Sequence, residues 1–211
     1  MELLGVTDLW LFIIAGLILN ITPGVDLLYI TNRSVVQGRI AGVVAALGIG
    51  TGCIVHILAA TLGLSVLLVS SSITFTVVRY LGAAYLMYLG ITTLLGLKAQ
   101  ECSEVQANTI LPLMGIFKQA ILINVLNPKV ALFFMALLPQ FVSSTAPHPA
   151  LSFLFLGLLF NINGTIVNTL FALLTFFLAK RLRGISFLPR FLKGLVGTLF
   201  VAFGIRLALL D

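Results

Sequence analysis

A helix breaker and an acid lie together inside an apolar stretch near the start of the chain. The segment consists of Asn20, Ile21, Thr22, Pro23, Gly24, Val25 and Asp26. A proline removes a backbone hydrogen bond and a glycine loosens a helix, so in lipid the freed carbonyl groups need protein, water or a ligand as partners. An aspartate in hydrocarbon costs about 2.5 to 3.5 kcal/mol on insertion scales unless it faces a polar interior. The segment therefore predicts a polar binding site within a membrane.

A second apolar stretch carries a proline and a lysine in its interior. Its polar set is Asn124, Asn127, Pro128 and Lys129. Lys129 is too far from either end of the stretch to reach the interface by extending its side chain, so it requires an internal cavity. Asp26 and Lys129 are natural counter-charges, and such a pair could hold the ammonium and carboxylate groups of an amino acid in exchange for each other. Helix amino termini after the two prolines would add partial positive charge suited to a carboxylate.

Together these motifs predict one substrate site, against the alternative of a purely structural kink with a satisfied ion pair. Its predicted members are Asn20, Thr22, Pro23, Gly24, Asp26, Asn124, Asn127, Pro128 and Lys129. Asp26 is also the predicted proton carrier, because a carboxyl group in a membrane can exchange a proton when its hydration changes. We interpret His56 as a packed, hydrogen-bonded side chain, and the sequence indicates neither a metal nor a cofactor. For Asn161, Asn163 and Asn168, hydrogen bonds between helices are favoured over lining a pathway.

Composition identifies the elements that must position these residues. Of 211 residues, 60% are hydrophobic and 9% are charged, whereas a soluble domain has about 25% charged residues. Six apolar stretches approach or exceed the roughly 20 residues of a spanning helix. By residue number they run 9–31, 41–69, 75–97, 115–141, 151–179 and 189–210. The predicted fold class is all-α, a polytopic membrane protein with six transmembrane helices, the first and fourth broken at their prolines.

The six stretches divide into two similar halves around a polar segment. We predict a first three-helix repeat at 1–97, a polar cytoplasmic linker at 98–111 and a second three-helix repeat at 112–211. The first helix of each half carries an asparagine beside a proline deep in its interior. An odd number of spans per half inverts one half relative to the other, an architecture in which the site lies between the repeats.

Basic residues set the predicted orientation. They follow the first, third and fifth stretches, at Arg33, Arg39, Lys98, Lys118, Lys180, Arg181, Arg183, Arg190 and Lys193. The positive-inside rule then places these loops in the cytoplasm and both termini outside. The net charge of +6 reflects this bias and attraction to membrane lipids rather than nucleic-acid binding. We expect no cleavable signal peptide, because the first stretch lacks a basic leader.

Glycines concentrate in the second stretch, at Gly38, Gly42, Gly48, Gly50 and Gly52. Small residues let membrane helices approach closely, so these positions predict packing seams. The same faces are compatible with a homodimer, or they are used entirely within one subunit.

These motifs together resemble the lysine exporter family of amino-acid exporters, also called LysE/RhtB, and the resemblance runs from end to end. The residues that carry it are Asn20, Thr22, Pro23 and Gly24; Gly38, Arg39 and Gly42; Gly48 to Gly52; Gly82 to Leu86 with Gly90; and Asn127, Pro128 and Lys129 leading to Phe133, Phe134 and residues 139–142. The family often has a second proline after the Thr-Pro-Gly, and Val25 stands in its place here.

The resemblance implies a secondary transporter that exports amino acids or related small metabolites from a bacterial cytoplasm across the inner membrane by proton antiport. Because Asp26 is not accompanied by further intramembrane acids, we expect a neutral rather than a dicationic substrate. No nucleophile with a base and no metal set points to an enzyme. The alternatives are a non-transporting membrane scaffold or assembly subunit, or an ion or metal exporter of similar architecture.

Overall fold

Helices make up the secondary structure, and they end where the sequence places its polar motifs. The computed structural model describes residues 4–22, 24–70, 110–143 and 145–179, with the isolated positions 77, 80, 84, 87, 88, 91 and 201. Within these ranges the elements are α1 (Leu9–Ile21), α2 (Val25–Gln37), α3 (Arg39–Ser70), α4 (Leu113–Val125), α5 (Pro128–Leu137), a 3-10 turn (Leu138–Phe141) and α6 (Pro149–Ala179). The described part of the chain holds no strand, only an isolated bridge between Val6 and Val142.

Two pairs of helices are each bent at a break. The axes of α1 and α2 meet at 54°, and those of α4 and the segment Pro128–Phe141 meet at 48°. The predicted breaks in the first and fourth helices are therefore confirmed. Pro23 lies outside the described residues. Pro128 is the first residue of α5, a position where the missing N–H of proline leaves no hydrogen bond unmade.

Two further helices are continuous. Arg39–Ser65 and Pro149–Leu178 are each long and apolar enough to cross a membrane, which gives up to four spans when each bent pair counts as one. The predicted third and sixth spans, the linker up to residue 109 and the basic segment 180–193 lie outside the described ranges.

The first predicted stretch ends too early. It stops at residue 31 and leaves Arg33 in a loop, whereas α2 continues to Gln37 and Arg33 is 3% exposed. A hydrophobic run ends at its first polar residues, but the helix continues because the guanidinium donates to Gln37 Oε1 at 2.9 Å and Gln119 Oε1 at 3.2 Å. Gly38 then ends α2 with a φ of 92°, a left-handed conformation that glycine adopts without strain.

The longest described helices present one face to protein and another to lipid. The buried stripe of α6 is Phe153, Leu156, Phe160, Gly164, Asn168 and Ala172. Its exposed stripe is Leu151, Phe155, Leu158, Ile162, Ile166, Leu170, Leu174 and Phe177. Both stripes advance by three or four residues, as one side of an α-helix does. Exposed apolar residues in such a row are expected where the surrounding medium is hydrocarbon.

Glycines bring α3 against its neighbours. A Cβ at Gly48 would lie 2.6 Å from the carbonyl oxygen of Phe117, and one at Gly52 would lie 2.8 Å from that of Ile121, both on α4. A Cβ at Gly50 would lie 2.5 Å from Thr165 Oγ1 on α6. The predicted packing seams are confirmed for these glycines. Because the faces are used within one chain, they give no support to the homodimer.

The described core consists of two apolar clusters. The first contains Phe12, Leu19, Ile57, Phe133, Phe134, Phe153 and Phe160 among its members. The second contains Tyr29, Ile30, Ala41, Ala45, Ala46, Ile49, Ile116, Ala120 and Ala172. Each continuous helix and each bent pair contributes to both clusters, and the buried polar residues Thr22, Asn124, Asn127 and Asn168 lie between the two.

Candidate functional site

A polar layer separates the two apolar clusters. The first bent pair crosses it between Leu19 and Tyr29, and the second crosses it between Ala120 and Val130. In α3 the boundary lies between Ile49 and Cys53, which is close to the middle of the 39–65 span. The two breaks therefore sit at about half the height of the continuous helices.

A small cavity lies in this layer. Its walls are Leu19, Asn20, Thr22, Gly24, Asp26, Leu27, Asn127, Lys129, Val130, Phe160 and Asn168, and its volume is about 30 Å³. That space admits a small number of water molecules but not a whole amino acid. A whole amino acid could enter only if the walls around the two breaks moved apart.

Lys129 connects the second break to the first. Its Nζ donates to the carbonyl oxygen of Leu19 at 2.8 Å and to that of Thr22 at 2.8 Å. These carbonyls end α1, where the helix has no further turn to supply N–H donors, and the Leu19 carbonyl shares the backbone N–H of Thr22, at 3.2 Å, with the Ile18 carbonyl. The ammonium therefore completes the hydrogen bonding of the helix end, at the negative end of the helix dipole.

Asp26 lies in the first turn of α2, where the positive end of the helix dipole favours an anion. Its Oδ2 accepts a hydrogen bond from Asn124 Nδ2 at 2.8 Å. Its Oδ1 is buried and has no hydrogen-bond partner, as is true of Asn20 Nδ2 and Asn124 Oδ1. Buried polar atoms normally have partners, so three such atoms in one layer indicate water or a polar ligand there.

The second break is held by two asparagines. Asn127 caps α5, since its side-chain oxygen accepts from the backbone N–H of Lys129 at 3.0 Å. The carbonyl oxygen of Asn124 lies 2.9 Å from His56 Nε2. A carbonyl only accepts, so Nε2 carries the proton. His56 also stacks at 6.3 Å on Phe134, which confirms it as a packed, hydrogen-bonded side chain.

The predicted counter-charges share the cavity but have separate partners. Among the described residues, the hydrogen bonds of Lys129 go to the end of α1 and that of the Asp26 carboxylate comes from Asn124. Each charge therefore lies at the helix end whose dipole it complements.

Most of the predicted residues meet at one place. Asn20, Thr22, Gly24, Asp26, Asn127 and Lys129 line the cavity. Asn124 reaches it through Asp26, whereas Pro128 starts α5 without lining the cavity. Pro23 lies outside the described part of the chain.

Two further wall residues come from α6. Asn168, for which the sequence favours helix-to-helix hydrogen bonding, is 7% exposed and lines the cavity. The sequence does not single out Phe160, whose ring packs 4.9 Å from Phe133 and 5.3 Å from Phe134. An asparagine in the interior of a span is a usable signal for a polar wall, whereas one phenylalanine among 16 is not.

Comparison with known proteins identifies what kind of protein carries this layer. Residues 17–210 match the family described as LysE type translocator. The chain belongs to this family. A LysE type translocator is a transporter and not an enzyme, and the apolar helices identify a multi-pass membrane protein.

Several relatives of this translocator are similar over nearly their whole length. The leucine efflux protein of Salmonella typhimurium (strain LT2) is 31% identical over 98% of this chain and 97% of its own. An uncharacterized membrane protein of Pseudomonas aeruginosa is 33% identical over 99% and 98%. The leucine efflux protein of an Enterobacter species (strain 638) is 29% identical over 97% and 96%. No solved structure matches the chain.

Proposed function

We propose that this translocator exports a neutral, apolar amino acid of the leucine type from the bacterial cytoplasm across the inner membrane, in exchange for protons. The observation that carries this proposal is the cavity in the polar layer, which has an acid from one broken helix and a base from the other on its walls. A zwitterionic amino acid needs one partner of each sign. The leucine efflux relatives support the same substrate class.

The walls suit a side chain of the leucine type. Beside its charged and amide residues, the cavity is lined by Leu19, Leu27, Val130 and Phe160. Apolar walls with a few placed polar groups are typical of small-molecule sites. A second charge on the substrate would need a further desolvated partner, so a neutral side chain fits these walls better than a basic one.

Coupling to protons is assigned to Asp26. Its Oδ1 has no hydrogen-bond partner among the described residues, so it can accept either a proton or an N–H of the substrate. A protonated carboxyl group no longer attracts an ammonium. Binding of the proton and of the substrate is then mutually exclusive, which is the requirement for exchange.

The proposed architecture has six spans in two inverted halves, 1–97 and 112–211, joined by the linker 98–111, with both termini outside. The two bent pairs support it, because each break has an asparagine beside it and the breaks meet at one cavity. In this arrangement the site lies between the repeats, where motion of one half against the other exposes it to each side in turn.

Efflux of preloaded leucine tests the proposal. Cells or proteoliposomes carrying the wild-type protein should lose leucine faster when an inward-directed proton gradient is imposed. Asp26→Asn and Lys129→Ala should each lower that rate by about 10- to 100-fold, the range expected when a hydrogen bond to a charged group is lost. Lys118→Ala is the matched control, because Lys118 is exposed on α4.

Unchanged efflux in both site variants, with equal amounts of protein in the membrane, would contradict the site. Efflux by the wild type that does not exceed that of membranes lacking the protein would favour a non-transporting scaffold. Efflux that survives in Asp26→Asn but no longer responds to the proton gradient would confirm that Asp26 couples the two flows.

A further inference from the structure

We propose that the two carbonyl groups at the end of α1 form the site for the substrate's α-ammonium, and that Lys129 fills this site whenever the substrate is absent. This inference rests on the proposed function and specifies how the amino acid is held. The groups concerned are the carbonyl oxygens of Leu19 and Thr22, which lie 2.8 Å and 2.8 Å from Lys129 Nζ.

The pair of carbonyls is suited to an alkylammonium ion. At the break the Leu19 carbonyl accepts the backbone N–H of Thr22 at 3.2 Å, a donor that it shares with the Ile18 carbonyl, and the Thr22 carbonyl lies beyond the last turn of α1. Each carbonyl oxygen can therefore accept from an ammonium, and both stand at the negative end of the α1 dipole. The ammonium of Lys129 and that of an amino acid present the same three N–H donors on a tetrahedral nitrogen. A group that binds one of them with good geometry therefore binds the other.

The cavity adjoins this pair. Thr22, Gly24 and Lys129 all line it, and Asp26 faces the same space. A Cβ at Gly24 would lie 3.5 Å from both Cδ and Nζ of Lys129. Gly24 is therefore next to the lysine side chain and has no side chain of its own to restrict the movement of the lysine. Asp26 Oδ1, which has no partner, is available for the third N–H of an incoming ammonium.

Exchange then needs only a short movement of one side chain. An amino acid carries its ammonium and its carboxylate on the same carbon atom, so an ammonium seated on the carbonyls puts a carboxylate beside the displaced Lys129. Lys129 loses its hydrogen bonds to two carbonyl oxygens and gains hydrogen bonds to the substrate carboxylate. Hydrogen bonds between two charged groups are stronger than those to a neutral carbonyl. At each stage the carbonyls hold one cation, and no charge is left buried without a partner.

This arrangement selects for molecules with both groups. An amine without a carboxylate must displace Lys129 while offering it no new partner, and a carboxylate without an amine cannot replace Lys129 at the carbonyls. A purely structural role, in which Lys129 pins the two breaks together, makes no such distinction.

Removing the lysine should open the site to simple amines. Binding of leucine, 3-methylbutylamine and 4-methylpentanoate is measured by calorimetry on purified full-length protein in nanodiscs. The wild-type protein should bind leucine and neither of the other two compounds strongly. Lys129→Met should bind the amine about tenfold or more tightly than the wild type does, while its affinity for leucine falls by a similar factor. Lys118→Met is the control and should behave as the wild type.

The outcomes separate this inference from the proposed function. If the wild type binds leucine but Lys129→Met gains no affinity for the amine, Lys129 is a structural pin and the inference is wrong, while the exporter assignment stands. If the wild type binds no amino acid, the proposed function itself fails. Should Lys129→Met aggregate, Lys129→Gln replaces it, because an amide still donates to carbonyls but has no charge, and a gain in amine binding is again expected.

Discussion

The charges of the polar layer are placed where helix ends stabilise them. Lys129 lies against the carboxyl end of α1 and Asp26 lies in the first turn of α2. Each such interaction contributes roughly 0.3 to 1 kcal/mol at a surface and up to about 2 kcal/mol when partly buried. A broken helix thus supplies both a positive and a negative end in the middle of the membrane, which an unbroken helix cannot do.

Asn168 tests whether α6 contributes to the site. It lines the cavity and is 7% exposed, so Asn168→Leu should keep the fold and lower leucine efflux by about two- to tenfold, as loss of one neutral hydrogen bond does. Asn163→Leu is the matched control. It lies five residues earlier on the same helix, and therefore on a different face. Equal effects of the two changes on initial efflux rates would exclude a specific role for Asn168.

The sequence predicts which residues belong to this site better than it predicts which atoms they contact. Asp26 and Lys129 are recognisable because an ionisable group inside an apolar span requires a polar interior. Their hydrogen-bond partners cannot be recognised from the sequence. Whether Lys129 pairs with Asp26 or binds the α1 carbonyls depends on the position that the 54° bend gives to the end of α1. Arg33 is another example, since the partner that allows its burial, Gln119, is 86 positions away.

At the scale of the elements, α2 and α4 run antiparallel and are joined by polar contacts. Asp26 bonds Asn124, the Tyr29 hydroxyl donates to Gln119 at 3.0 Å, and Gln37 Nε2 donates to the carbonyl of Leu111 at 2.9 Å. Along these three contacts the residue numbers rise in α2 and fall towards the start of α4, as antiparallel helices require. The seam between these two helices is therefore held by polar contacts that start at the cavity residue Asp26, whereas the cavity residue Phe160 packs against the aromatic rings of Phe133 and Phe134.

The glycines of α3 set the distance to α4. Gly48→Ala and Gly52→Ala each place a methyl group within 2.9 Å of α4 backbone atoms, and overpacking of this kind costs about 1 to 3 kcal/mol. Both variants should inactivate faster on heating than the wild type. Gly52→Ala should also lower efflux, because the new Cβ would lie 2.9 Å from the Cβ of Asn124, the partner of Asp26.

Gly63→Ala provides the control for these substitutions, because nothing lies within 4 Å of a Cβ at that position of the same helix. The three variants are compared by the half-life of each detergent-solubilised protein on heating. Identical half-lives for all three variants would mean that the α3–α4 seam tolerates extra volume and does not fix the position of Asn124.

Helices are predictable from this sequence, and their ends are less so. The two continuous helices and the two bent pairs fall where the apolar stretches predict them. The boundary of α2 is missed because polar residues inside a helix bundle are satisfied by neighbours that a hydrophobicity pattern does not include.

At the scale of the whole molecule, the polar layer divides the core. Leu19 belongs to one apolar cluster and Tyr29 to the other, and the same change of cluster occurs along α3, along α6 and along the second bent pair. A core arranged in this way has two apolar clusters with a polar site between them. In the proposed transport cycle each cluster loosens in turn, and the cavity of about 30 Å³ is too small for an amino acid until one of them has done so.

The inverted arrangement makes a prediction about topology that cysteine labelling can test. The proposed three spans per half would put the linker on the opposite side from both termini, and the basic residues after the odd-numbered stretches predict that the linker is cytoplasmic. Cys102 is a natural probe in the linker, and Cys53 is buried. In intact spheroplasts a membrane-impermeant maleimide should leave Cys102 unlabelled until the membrane is permeabilised. Glu2→Cys and Asp211→Cys, each combined with Cys102→Ser, should be labelled at once. Labelling of the linker on the same side as the termini would rule out three spans per half, whereas a linker outside with both termini inside would reverse the orientation and leave the inverted repeat intact.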